Sequence, residues 1–131
     1  MAYHVAHTDD MAWMEREPSH GQLPRRHASI TDSANLTQSR AQMWRYSAHT
    51  RGRRHIEPDQ EEVFVPLRGR LTILVEDPPQ RVDVEPGGVI AVHPGTPVQL
   101  RNETDEEILL FAYGAPPIAG NTQFVDDVEL A

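Results

Sequence analysis

The sequence predicts an all-β single domain, an antiparallel sandwich or barrel with an irregular N-terminal arm. Three observations carry that prediction. From Arg40 onward, short apolar stretches alternate with polar residues at a period of two, as half-buried strands do. Glycine and proline turn signals punctuate them about every 8 to 12 residues, the spacing found in β sandwiches and barrels. Almost nothing along the chain reads as helix, and no internal repeat is present. At 131 residues the length suits one domain with one sizeable core.

Residues 1–39 form the arm, which is polar and weakly periodic. His4, His7, His20 and His27 lie here without the i, i+4 spacing of a helical metal site, and they read as exposed loop histidines. Met11, Trp13 and Met14 are large apolar groups in a polar segment and need a surface to cover. The arm is therefore expected to lie against the barrel, on its own subunit or a partner. Thr31 or Asp32 is expected to cap one short helical turn through Asn35.

The barrel is expected over residues 40–113. Gln42, Trp44 and Tyr46 alternate with Met43 and Arg45, then Gly52 breaks the pattern. Glu61 to Leu67 is the next strand, and Arg68-Gly69 turns it into Arg70 to Glu76. Asp77-Pro78-Pro79 ends that strand because proline donates nothing to a ladder. Arg81 to Val84, Val89 to His93, Pro97 to Asn102 and Ile108 to Tyr113 complete the set, separated by Pro86-Gly87-Gly88, Pro94-Gly95 and an acidic turn. Residues 114–131 form a tail that either crosses a barrel mouth or is mobile.

Charge and composition exclude several functions. A net charge of −8 argues against a nucleic-acid partner, since phosphate binding needs a basic face. Without cysteine there are no disulfides, thiolate metal sites or cysteine nucleophiles. All 12 basic residues are arginine, which removes lysine Schiff-base chemistry and leaves planar, bidentate donors. No apolar run reaches the roughly 18 residues of a membrane helix, and the N-terminus lacks a signal-peptide pattern. A cytoplasmic location is expected. In Glu62 to Leu67 both strand faces carry apolar groups, Phe64 on one and Val63, Val65 and Leu67 on the other. Something must cover each face, and a homodimer is expected.

His55, Glu57, Glu62 and Gly69 fall into the pattern G-x5-H-x-H-x4-E-x6-G, with His49 and Glu57 at its first-glycine and second-histidine positions. Gly87, Gly95 and Asn102 fall into G-x5-P-x-G-x2-H-x3-N, with His93 at the proline and Val98 at the histidine. Over residues 40 to 113 the chain thus resembles the cupin superfamily, in particular small single-domain cupins. That resemblance implies a double-stranded β-helix (jelly-roll) barrel holding a small molecule or a metal. It also implies a ligand pocket built from Trp44, Tyr46, His55, Glu57, Glu62, Phe64, Val98 and Leu100.

The implied cofactor is a divalent cation (Fe, Mn, Ni or Zn) on His55, Glu57 and Glu62. The shell is incomplete because Val98 replaces a family histidine. Alternation puts His55 and Glu57 on one face of an extended segment, with Glu62 within reach, and turns Gln99 to the opposite face with Arg101. Such a set suits a cation more weakly than a three-histidine shell. In the metal-free alternative, Glu57 points out at the mouth and pairs with Arg53 or Arg54, while Glu62 accepts from His55. Arg51, Arg53 and Arg54 either neutralise Glu57, Asp59 and Glu61 or recognise an anionic ligand. His49 and His93 are either replacement ligands or surface turn residues. Trp44, Tyr46, Phe64, Phe111 and Tyr113 either line a pocket or fill the core.

Three functions follow: a small-molecule-binding cupin with an incomplete metal site, a metal-dependent oxygenase or isomerase, or a dimeric scaffold with a vestigial pocket. A barrel packed shut by Phe64, Val98 and Leu100 would favour the scaffold.

Overall fold

The structure is a computed structural model, and it describes residues 2–16, 24–118 and 120–130. Eleven strands are present among them: β1 (Met14–Arg16), β2 (Arg25–Ser29), β3 (Arg40–Tyr46), β4 (His55–Ile56), β5 (Glu61–Arg68), β6 (Leu71–Val75), β7 (Gln80–Val84), β8 (Ile90–Val92), β9 (Val98–Arg101), β10 (Ile108–Ala115) and β11 (Gln123–Phe124). They make a six-stranded sheet in the order β1-β2-β3-β10-β5-β8 and a five-stranded sheet in the order β11-β4-β9-β6-β7. Every pairing is antiparallel. The two sheets face each other as a double-stranded β-helix, so the all-β expectation holds.

The strands with clear alternation are the ones the sequence places. Strands β1, β2, β4 and β11 are not among them. β1 (MER) and β2 (RRHAS) are charged, and β4 and β11 have two residues each. Their pairing to longer neighbours makes them strands, which no local propensity encodes. A single turn of helix, α1 (Ile30–Ser33), follows β2. Its cap is the Ser29 hydroxyl, which accepts from the Asp32 N–H at 3.1 Å, rather than Thr31 or Asp32. Thr31 instead bonds the Ala41 backbone and ties the helix to β3.

Register puts alternate residues of the six-stranded sheet into the barrel in rows. Arg16, Arg25, Tyr46 and Ile108 form one row across β1, β2, β3 and β10. Met14, His27, Trp44 and Leu110 form the next, and Gln42, Ala112 and Phe64 the third. Arg40, Gly114 and Glu62 form the last. From the other sheet come His55, Val98, Leu100, Ile73 and Leu71. Leu71, Ile73, Val98, Ile108 and Leu110 are completely buried and form the centre of the core. Each contributes about 1.5–3 kcal/mol of burial free energy.

Two framework residues of the sequence motifs have clear tasks. Gly69 turns β5 into β6 at φ +80°, and a Cβ there would lie 2.6 Å from the Ile108 side chain. Buried Asn102 donates to the carbonyls of Tyr46, Ser47 and Glu106 at 2.7–3.0 Å, while its side-chain oxygen accepts from Thr104. It thereby clamps the end of β3 to the turn before β10.

Both terminal segments are docked. Trp13 donates to the Thr8 carbonyl, and the Arg45 guanidinium lies 4.3 Å from its ring centre on the outer face of β3. Met14, by contrast, is 63% exposed although its strand position pairs with His27. The tail crosses the barrel. β11 pairs with β4, Arg54 donates to the Asp126 carbonyl, and Gln99 donates to the Gly52 carbonyl and to Asp127. Gln99 does turn away from the barrel interior, and the tail buries it completely.

Candidate functional site

The barrel holds a cavity of about 450 Å³ that opens to solvent. Trp44, Tyr46, Phe64, Leu100 and Ala112 make its apolar wall, and Gln42, Gln60 and Thr122 add polar groups. Trp44, Tyr46, His55, Glu57, Glu62, Phe64 and Leu100, expected in a pocket from the sequence, all border it. Val98 does not. It pairs directly with His55 across β4 and β9 but is 0% exposed and sits in the core behind the wall. Phe111 points away from the cavity and packs against Tyr113.

One end of the cavity is a histidine–carboxylate cluster. His55, Glu57 and Glu62 each offer one ligand atom, and these atoms lie within 4.8 Å of one another. The His55 ring is oriented from behind: Nδ1 faces the Arg53 carbonyl at 3.1 Å, which leaves Nε2 facing Glu62 at 3.6 Å. Burial pulls the His55 pKa down, but Glu62, the Arg53 carbonyl and Glu57 together outweigh it, and the net direction is up. Glu57 does not point outward to Arg53 or Arg54. It is 8% exposed and accepts a hydrogen bond from the Thr122 hydroxyl in the tail.

The basic segment before it is placed differently from either sequence alternative. Arg51 pairs with Asp127 and Glu129, buried Arg54 holds the tail backbone, and Arg53 stacks 3.6 Å from the Phe124 ring centre. Sequence proximity suggested Glu57, Asp59 and Glu61 as partners, but alternation and the incoming tail redirect all three arginines. His49 and His93 lie on exposed turns beside Asp105 and Glu61, outside the cavity.

The other end is aromatic and cationic. Arg25 lies with its guanidinium carbon 5.1 Å from the Trp44 ring centre and 5.2 Å from that of Tyr46, and Nη1 donates to the Tyr46 hydroxyl at 3.2 Å. Burial raises the Tyr46 pKa, with Arg25 pulling the other way. His27 stacks on Trp44 at 5.0 Å, and Trp44 donates to Gln42. His27 is buried rather than an exposed loop residue, and its pKa is lowered by burial first and then by Arg16 and Arg25. His20 lies outside the described residues. The sequence gave no cue for Arg16, Arg25, Arg40, Gln42, Gln60, Thr122 or Phe124 as cavity residues.

A family model described as Cupin domain matches residues 42–113. The chain belongs to the cupin family. No curated protein matches this cupin. Among solved structures it is similar to the polyketide cyclase RemF from Streptomyces resistomycificus, with 16% identity and a TM-score of 0.77 over 96% of this chain and 87% of that one. It is also similar to a sugar phosphate isomerase of the cupin superfamily from Silicibacter pomeroyi, at 19% identity and a TM-score of 0.73 over 86% and 75% of the two chains. A third is an uncharacterized conserved protein with a double-stranded β-helix domain from Klebsiella pneumoniae, at 15% identity and a TM-score of 0.72 over 94% and 97%. At these identities the likeness is one of fold. Among the described residues, no helix of this cupin is long and apolar enough to cross a membrane.

Proposed function

We propose that this cupin binds a small molecule in its barrel, with an incomplete metal site at one end of the cavity. The cavity of about 450 Å³ carries this reading. It falls in the range of small-molecule pockets, and its apolar wall with a few converging polar groups is the usual composition of such sites. The same volume speaks against a barrel packed shut around a vestigial pocket. A ligand screen by thermal shift tests the reading, run on the protein and on Ala112→Phe, which fills the cavity from β10. Hits are expected to vanish in the variant; hits whose shifts survive it place binding elsewhere and sink the proposal.

His55, Glu57 and Glu62 suit a divalent cation of the Fe, Mn, Ni or Zn type. The Arg53 carbonyl holds Nδ1, so Nε2 would be the ligating nitrogen, and Thr122 orients Glu57. A cation bound there supplies Lewis acidity toward an oxygen of the bound molecule. With one imidazole the shell holds it weakly. Elemental analysis of protein purified without a polyhistidine tag is expected to find less than one equivalent, and a full equivalent of metal would contradict the incomplete shell and favour a metal-dependent oxygenase or isomerase.

A homodimer is proposed as well, formed through the outer face of the six-stranded sheet. Val63, Val65 and Phe111 stay partly exposed there and Leu67 is 48% exposed, which supports it. Sedimentation analysis checks this, with Val65→Glu expected to give monomer.

A further inference from the structure

Outside the cavity, five of eight arginines, Arg26, Arg45, Arg51, Arg81 and Arg101, lie within 4.0 Å of a carboxylate, while Arg54, Arg68 and Arg70 do not among the described residues. The arginines that border the cavity are Arg16, Arg25, Arg40 and Arg53, and among the described residues none of them has a carboxylate partner. The chain carries 20 acidic residues against 12 basic ones, so a shortage of acids is not the reason.

The cavity's own carboxylates are engaged elsewhere, Glu57 by Thr122 and Glu62 by His55. Arg25 is also held in place. Two aromatic rings and the Tyr46 hydroxyl fix its guanidinium, and the Gly52 backbone sits so close that a Cβ there would lie 3.0 Å from Arg25 Nη1. A half-buried guanidinium held by two rings and a hydroxyl, with no carboxylate partner among the described residues, is desolvated at a cost unless an anion completes it.

We propose that the molecule bound in this cavity carries a carboxylate or phosphate group, seated on Arg25 with Arg16 beside it, while its apolar part lies along Trp44, Ala112 and Phe64. A planar, fixed guanidinium is the donor that matches either oxyanion through paired hydrogen bonds. The proposal rests on the small-molecule reading above and deepens it by naming the ligand's charge.

The test uses the full chain carrying Trp13→Phe, which leaves Trp44 as the sole tryptophan and a reporter inside the cavity. Butanoate, butyl phosphate and 1-butanol are titrated by fluorescence and calorimetry at low and high salt. At least one anion is expected to bind about tenfold more tightly than the alcohol, with a preference that shrinks as salt rises. Which anion wins separates carboxylate from phosphate. Arg25→Gln is expected to remove the preference. The exposed pair Arg16→Gln and Arg53→Gln, combined in one variant, is expected to reduce it several-fold and covers the case in which Arg25→Gln does not fold. Equal affinity for alcohol and anions overturns the proposal, as does an intact preference in those variants or no binding of any probe. Ala112→Phe separates the two levels: loss of all three probes upholds the cavity as the binding site even where charge proves irrelevant, and unchanged binding defeats the cavity reading itself.

Discussion

The two ends of the cavity are built from different parts of the chain, and each contains a histidine whose environment works in the opposite direction. At the β4–β5 end, carboxylates and a carbonyl surround His55 and raise its pKa against the effect of burial. At the β2–β3 end, His27 is buried on the Trp44 face beside Arg16 and Arg25, and its pKa is lowered. The first end gathers carboxylates and the second gathers arginines, so one cavity carries both signs of charge, with Trp44, Phe64 and Leu100 among the residues that line it.

The largest expected effect comes from removing the platform of the cationic end. Trp44→Ala takes away the seat of both Arg25 and His27. It is expected to cost about 3–5 kcal/mol in urea unfolding. A loss below about 1 kcal/mol would mean the aromatic end is not part of the core. Next in size, Glu57→Gln with Glu62→Gln should abolish calorimetric Mn(II) or Zn(II) binding while leaving anion binding in place. Loss of both together would show that the two ends are not independent. A smaller change is expected for Val98→His. Because Val98 pairs with His55 across β4 and β9, an imidazole there reaches toward the cluster and should tighten Zn(II) binding by about tenfold. Unchanged affinity would show that a side chain at this position stays in the core.

The smallest effect is on pH. His27 has a folded pKa below 6.5, so on acidification the unfolded chain takes up its proton first. Its stabilising contribution is complete above 6.5 and is lost as pH falls toward the folded value. His55 has a folded pKa above 6.5, so its contribution is complete below 6.5 and is lost as pH rises through the folded value. Urea midpoints followed across this range should therefore fall on both sides. His27→Phe is expected to flatten the acid side and His55→Gln the alkaline side, and an unaltered profile in either variant would refute that assignment.

The same contrast explains what the sequence made legible. His55, Glu57 and Glu62 sit in a spaced motif, and alternation alone put them on one face. Strands β3 and β5 to β10 were readable because their apolar residues alternate between turn signals. Arg25 was not readable, because a charged residue in a polar segment looks solvated until β2 is known to pair with β3. Thr122 and Phe124 were hidden for a related reason: β11 exists only through its contact with β4, more than sixty positions earlier in the chain. Glu57 shows how such distant contacts change local expectations. Its nearest arginines in sequence belong to the tail, and a threonine from the tail takes the place they were expected to fill.

Thr122 bonding Glu57 makes the site depend on the tail. Residues 122–127 reach the barrel through β4, Arg54 and Gln99, contacts distinct from the pairings that join β5, β6, β9 and β10 to their neighbours. Releasing that strap would strip Glu57 of its hydroxyl donor while those pairings stay in place.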